Sequence, residues 1–152
     1  MDNLVSDLPL DLLLHLVLAV ILGGAIGLER ELKQKAAGLR TNILICAGAA
    51  LFTELSLAST AEFGDPSRIA AQIVTGVGFL GAGAIIQGRG TVTGLTTAAT
   101  MWLVAAIGMA VGFGALLEAT GTTLLVVLVL VALRPIERWI EKRKQLESGD
   151  AT

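Results

Sequence analysis

Residues 94–113 read GLTTAATMWLVAAIGMAVGF, a loop phrase that runs directly into a long apolar segment. Such a segment can cross a membrane as a helix, because about 20 apolar residues span a hydrocarbon core of about 30 Å. The phrase Gly-Leu-x-Thr also occurs at residues 38–41, again before an apolar run. Two helices therefore enter the membrane through the same kind of loop, which suggests that one half of the protein is a copy of the other.

Composition places the whole chain in the same class. Apolar residues make up 54% of the 152 residues and charged residues only 16%, and the charges avoid the apolar runs. We predict an all-α integral membrane protein with a transmembrane domain at residues 1–133 and a charged cytoplasmic tail at residues 134–152. The five predicted transmembrane helices cover about 12–28, 42–61, 69–87, 95–113 and 115–133.

The basic residues predict the orientation of the chain, because cytoplasmic loops retain Lys and Arg. One side of the predicted membrane holds Arg30, Lys33, Lys35, Arg40, Arg89, Arg134, Arg138, Lys142, Arg143 and Lys144. The other side holds only Arg68. We therefore predict that the N-terminus is outside and the C-terminus is in the cytoplasm. With these charges at the lipid headgroups, no basic surface remains for nucleic acid.

Glycines predict close contacts between the helices. Gly-x-x-x-Gly pairs at residues 23–27 and 108–112, and four glycines in helix three, leave flat faces where backbones can approach. The alternative for helix three is a broken helix that exposes backbone groups to a substrate. The repeated phrase predicts two hairpins that form parallel repeats, with helix five as an addition and a functional site between the hairpins.

Candidate functional residues gather at the predicted inner face: Glu29, Arg30, Arg40, Thr41, Thr96 and Thr97. Opposite charges at this level can lock the ends of the first loop together, bind lipid phosphates or form part of an ion pathway. The threonines stand at helix starts, where hydroxyl groups can cap free N–H groups. Two such helix starts side by side would also form a positively polarised pocket for an anion or for the Glu29 carboxylate.

Glu54 is the ionisable residue predicted to lie well inside the membrane, roughly 20 Å along helix two from Thr41. Ionisable groups at membrane depth are costly and mark a pathway, a pairing or a contact site. One interpretation is a cation or proton ligand that faces the bundle interior with Gln72 as its partner. The other is a carboxylate that reaches the outer headgroups or accepts a hydrogen bond from a neighbouring Thr or Gln.

Asp11 and His15 are spaced four residues apart at the outer end of helix one. For this pair, an interfacial hydrogen bond is favoured over a metal site.

The sequence contains no nucleophile with its base, no Gly-x-x-x-x-Gly-Lys phosphate loop and no His-rich metal motif. We therefore expect neither an enzyme nor a resident cofactor, and Mg²⁺ is the bound ion left open. The single cysteine, Cys46, excludes an intramolecular disulfide and a Cys-based zinc site. It is predicted to be a small residue packed inside helix two.

Five motifs follow one another along the chain: GLERE at 27–31, AGLRT at 37–41, GAALF at 48–52, VTGVGFLGAG at 74–83 and GLTTAATMW at 94–102. Taken in series, they resemble the membrane domain of the MgtC/SapB family. The resemblance implies a bacterial cytoplasmic-membrane protein associated with magnesium limitation and stress, which regulates other membrane machines. A short charged tail in place of a soluble C-terminal domain favours the SapB-like or YhiD-like branch.

Two functional hypotheses follow. The first is a membrane protein linked to magnesium homeostasis and stress adaptation that modulates ion transport or another membrane complex. The second is a direct Mg²⁺ or proton transporter or channel that works as an oligomer. Magnesium is bound by a few carboxylates with several retained waters, so Glu54 alone makes a poor single-chain pore. The glycine faces make a homo-oligomer plausible.

Overall fold

The structure, a computed structural model, describes residues 4–59, 65, 67–88, 91–136, 139–140 and 142–143. Its five helices are α1 (Leu4–Leu32), α2 (Leu39–Ser59), α3 (Ser67–Ala84), α4 (Leu95–Gly112) and α5 (Leu116–Ala132). The predicted all-α membrane fold is confirmed. Arg89, Arg138, Lys144 and most of the predicted tail lie outside the described residues. Orientation stays a prediction, and the end of the bundle that holds Glu29 is called the inner end on that basis.

Four of the described helices are long and apolar enough to cross a membrane. These candidate spans are Leu10–Leu32, Leu39–Ala58, Leu95–Gly112 and Leu116–Ile136. The remaining helix, α3, has a similar length but carries Arg68 and Gln72 in its first two turns. These two polar residues reduce its mean hydropathy, and they matter for the outer end of the bundle.

A short β-hairpin joins α3 to α4, where the sequence predicted that helix three would continue to Gln87. Strands β1 (Ile86–Gly88) and β2 (Thr91–Thr93) pair antiparallel, with Gln87 opposite Val92. The predicted boundary is wrong because α3 ends at Ala84 and residues 86–88 are extended. The β-branched residues of β2 favour a strand over a further helical turn.

Both copies of Gly-Leu-x-Thr stand where a helix begins. Gly38 directly precedes α2, and Gly94 is the N-cap of α4, with a left-handed φ of 90° and no side-chain cap. A Cβ atom at Gly38 would collide with the Glu31 side chain, and one at Gly94 would collide with the carbonyl oxygen of Ala84. Glycine is required at Gly94, where the φ is left-handed and the contact is with backbone, whereas at Gly38 the flexible Glu31 side chain could move aside.

Glycines also set the close packing of α1, α2 and α4. A Cβ atom at Gly23 would lie 2.7 Å from the carbonyl oxygen of Asn42, and one at Gly112 would lie 2.6 Å from that of Ala50. Cys46 is fully buried in the core between these helices. The predicted use of the Gly-x-x-x-Gly pairs as contact faces is confirmed.

Helix α3 is attached mainly to α4 and is continuous over Ser67–Ala84. The alternative of a broken third helix is therefore wrong. A Cβ atom added at Gly81 would lie 3.5 Å from the Cβ atom of Ala98, which is ordinary van der Waals contact. Gly76, Gly78 and Gly83 have no such neighbour within 4 Å in the described structure. Only one of the four glycines in this helix thus serves the predicted contact within the chain.

Helix α5 presents most of its surface outward. Ala119, Thr123 and Val126 are buried at a spacing of three to four residues and face the bundle. Leu117 and Leu124 are 83% and 68% exposed on the other side. In a bilayer these leucines contact lipid chains.

Candidate functional site

The inner end of α1 carries two charged residues that are almost fully buried. Glu29 is 8% exposed and Arg30 is 3% exposed. Gln34, just beyond the helix, has a left-handed φ of 53°. The Gln34 N–H donates to the Glu31 carbonyl at 2.9 Å, and the Lys35 N–H donates to the Arg30 carbonyl at 3.1 Å. This Schellman motif turns the chain toward α2 and fixes the last turn of α1 against the bundle.

Glu29 and Arg30 connect the inner ends of three helices. Arg134, which follows α5, places Nη2 2.8 Å from Oε1 of Glu29. Arg30 Nη1 lies 3.8 Å from Oε2 of Glu29, and Arg30 Nη2 donates to Oγ1 of Thr97 in α4 at 3.3 Å. We call Glu29, Arg30, Thr97 and Arg134 the inner cluster. It contains one negative and two positive charges, so it attracts anions more than cations.

Charge pairing, rather than directed hydrogen bonding, stabilises the Glu29 carboxylate. Both of its oxygens and the Nε of Arg30 are buried without a hydrogen-bond partner among the described residues. The 2.8 Å contact with Arg134 is an ion pair by distance, without the direction of a hydrogen bond. An unsatisfied buried polar group costs about 1–3 kcal/mol. The Arg134 charge is therefore the close compensation for the buried Glu29 carboxylate.

The remaining inner-face candidates lie apart from the inner cluster. Arg40 is exposed and makes no ion pair with any residue that the structure describes. Thr41 is half-buried and Thr96 is exposed. The structure thus brings Glu29, Arg30 and Thr97 together, and it leaves Arg40 and Thr96 at the surface.

A different carboxylate meets the start of α2. Oε2 of Glu31 accepts a hydrogen bond of 2.9 Å from the Leu39 N–H, which suits the positive end of a helix dipole. One turn further on, the buried Asn42 donates from Nδ2 to the carbonyl oxygens of Ala37 and Gly38, at 3.0 and 2.8 Å. Neither contact was predicted. An acidic residue seven positions before the Gly-Leu-x-Thr phrase is the sequence signal that could have indicated the first.

At the outer end, Glu54 of α2 pairs with His15 of α1. Nδ1 of His15 contacts Oε1 of Glu54, and both side chains are 22% exposed. Gln72, the predicted partner, is exposed on α3 and lines a groove instead. Asp11 is exposed as well. Across the described ranges, no group of three His, Cys, Asp or Glu residues is placed to hold a metal ion.

Arg134 is the residue of the inner cluster that sequence reasoning missed. The sequence interpretation assigned every arginine of the tail to lipid headgroups. However, α1 and α5 run in the same direction, so their C-terminal ends share the inner face. A glutamate at the end of one helix and an arginine at the end of the other therefore reach the same depth, which is a signal available from topology.

The model of the MgtC family matches residues 16–139. The chain belongs to the MgtC family. The matched range contains the whole inner cluster and Glu54, whereas His15 lies one residue before it. MgtC family membership and the apolar helices identify a bacterial inner-membrane protein.

Curated relatives in the MgtC family are longer than this chain. The "Putative magnesium transporter YhiD" of Escherichia coli K12 is 51% identical over 111 residues, which cover 68% of this chain and 52% of that protein. "Protein MgtC" of Salmonella typhimurium LT2 is 45% identical over 122 residues, or 80% of this chain and 52% of that protein. The chain thus spans about half the length of these relatives. No solved structure matches it.

Proposed function

We propose that this chain is a regulatory membrane protein linked to magnesium homeostasis and stress adaptation, which binds another membrane complex and modulates ion transport through it. Membership in the MgtC family and the name of the YhiD relative support the link to magnesium. The proposal assigns no catalytic reaction to this chain, because the candidate residues form ion pairs and hydrogen bonds rather than a nucleophile with its base.

The observation that carries the proposal is that the mostly buried carboxylates are already paired. Glu29 lies between Arg30 and Arg134, and Glu54 contacts His15. Mg²⁺ needs carboxylate oxygens and retained waters, and two guanidinium groups beside Glu29 repel a dication. A single chain therefore offers no row of available carboxylates along the described part of the bundle.

Exposed polar residues at the inner end offer a contact surface for the partner complex. Arg40 and Thr96 stand at the starts of α2 and α4, the two positions that share the Gly-Leu-x-Thr phrase. Of the two, only Arg40 carries a charge, so the surface is asymmetric. An exposed arginine can form bidentate bonds with a carboxylate on another protein.

The test is ion flux in liposomes that contain the purified chain alone, with indicators for Mg²⁺ and for pH inside. We expect flux no greater than in empty liposomes. Adding this chain to liposomes that hold the co-purified membrane partner should change the partner's transport rate. Flux from the chain alone that disappears in Glu54→Gln would overturn the regulatory function.

A direct proton or Mg²⁺ transporter that works as an oligomer is the second candidate. The His15–Glu54 pair favours it, because ionisable pairs inside a membrane often mark a proton pathway. An oligomer would also bring several copies of Glu54 into one assembly. Proton flux that is lost in both His15→Gln and Glu54→Gln, and retained in Arg40→Ala, would support this candidate.

A further inference from the structure

A groove of about 650 Å³ runs between α2 and α3 and opens sideways from the bundle. Ala49, Ile73 and Val77 are buried at its floor. Leu44 and Phe52 form one wall and are 72% and 57% exposed. The lining is almost entirely apolar, and in a bilayer this opening faces lipid.

Glycines create the depth of this groove. Gly48 of α2 and Gly76 of α3 both line it, and a Cβ atom added at either would meet no other atom within 4 Å. The glycines between α1 and α2 differ, because backbone and side-chain atoms of the neighbouring helix already contact them. The chain itself therefore leaves room between α2 and α3 for an apolar occupant.

Polar groups mark the outer end of the groove. Gln72 lines it, and Arg68 lies four residues earlier, one turn closer to the start of α3 on the same face of the helix. Arg68 is exposed and makes no ion pair within the part of the chain described here. The nearby Asp65 carboxylate accepts hydrogen bonds from the Ser67 hydroxyl and N–H at 2.6 and 2.9 Å, and these bonds, with a weaker attraction by the Arg68 charge, lower the pKa of Asp65.

We propose that this groove binds one glycerophospholipid of the outer leaflet, with an acyl chain between α2 and α3 and its phosphate paired with Arg68. The lining of α3 from Ile69 to Leu80 extends about 16 Å at 1.5 Å per residue. That length matches one leaflet of a hydrocarbon core about 30 Å thick. The Gln72 amide lies at the level where it can donate to the ester oxygens of the lipid.

The charge at the outer end of the groove favours a phospholipid over a helix from a second copy. Arg68 matches a phosphate, and none of the residues that line the groove is acidic. A second copy that docked through the same face would bring its own Arg68 to the same level, where the two positive charges repel.

The test is native mass spectrometry of the full chain, purified in mild detergent and titrated with phosphatidylglycerol. We expect one tightly retained lipid per chain. Gly76→Leu should fill the groove and reduce the lipid-bound fraction at least about fivefold, since the added side chain occupies the position of the acyl chain. Arg68→Gln should weaken binding by about fivefold, as expected for one basic residue at a lipid surface.

Gly78→Leu is the matched control. Gly78 also lies on α3 with no neighbour within 4 Å, but it does not line the groove. Both substitutions add the same side chain and the same gain in helix propensity. Equal lipid retention in Gly76→Leu and Gly78→Leu would overturn the proposal. So would a loss of self-association in Gly76→Leu without any change in the number of bound lipids.

Discussion

Nη2 of Arg134 lies 2.8 Å from Oε1 of Glu29, so an ion pair connects the end of the last described helix to the end of the first. Glu29 is the less exposed partner, at 8% against 22% for the Arg134 side chain. The carboxylate therefore depends on this contact more than the guanidinium does, because the guanidinium can still reach solvent or lipid phosphate.

Arg134→Gln should lower the free energy of unfolding by about 2 kcal/mol. The buried Glu29 would then retain only the more distant Arg30, and an uncompensated buried charge is strongly destabilising. The measurement is thermal or denaturant unfolding in detergent, followed by circular dichroism. Adding Glu29→Gln should restore part of the loss. Arg40→Gln serves as the control, and equal stability of the Arg134 and Arg40 variants would contradict a role for the ion pair.

His15 and Glu54 should show strong coupling in a double-mutant cycle. His15→Leu leaves the Glu54 carboxylate without its partner in apolar surroundings, which should cost about 2 kcal/mol. Glu54→Leu combined with His15→Leu should recover most of that loss, because neither polar group remains. The free energy of unfolding in detergent at constant pH is measured for the wild type, the two single variants and the double variant. Additive effects would show that the contact carries no net energy.

Gly23→Ala should destabilise the fold by about 1–3 kcal/mol, because overpacking a tight helix contact forces the backbones apart. Its Cβ atom would lie 2.7 Å from the Asn42 carbonyl oxygen and from the Cys46 Cβ atom. Gly121→Ala on α5 meets no atom within 4 Å, so it should be neutral or stabilising through helix propensity. The two melting temperatures, measured in the same detergent, test the difference. A destabilised Gly121→Ala would show that propensity does not govern that position.

Arg40→Ala should lower function more than Arg143→Ala, while both leave unfolding unchanged. Arg40 is exposed at the start of α2, whereas the Arg143 guanidinium lies 4.2 Å from the centre of the Trp139 ring in the tail. The readout is complementation of a deletion strain at limiting magnesium, with membrane levels of each variant checked by immunoblot. Equal complementation by both variants would remove Arg40 from the proposed contact surface.

Much of the fold was predictable because the membrane imposes simple constraints. Apolar length located all five helices, and spacing located the Gly23 and Gly108 contact faces. The end of α3 was mispredicted, since Ile85 and Ile86 continue an apolar pattern that cannot distinguish helix from strand. The open face at Gly76 was also unpredictable, because a glycine that contacts a helix and one that faces lipid look alike in sequence.

The candidate site was predictable only within each helix. Glu29, Arg30 and Glu54 were identified because charges next to apolar runs are conspicuous. Their partners, Arg134 and His15, come from other helices, and sequence spacing does not indicate which faces of separate helices meet. Arg40 shows the opposite limit. It belongs to the first copy of the repeated phrase, yet it is exposed and outside the inner cluster, to which only the second copy contributes a residue, Thr97.

The contact between Glu29 and Arg134 also has a consequence for the order of biogenesis. Translation reaches Arg134 about a hundred residues after Glu29, which takes roughly 5–20 s at about 5–20 residues per second. During that interval Arg30 is the basic partner that its own helix offers to Glu29. The contact with Arg134 can form only after the last helix has been made, so insertion of the first helix and formation of this ion pair are separate events in time.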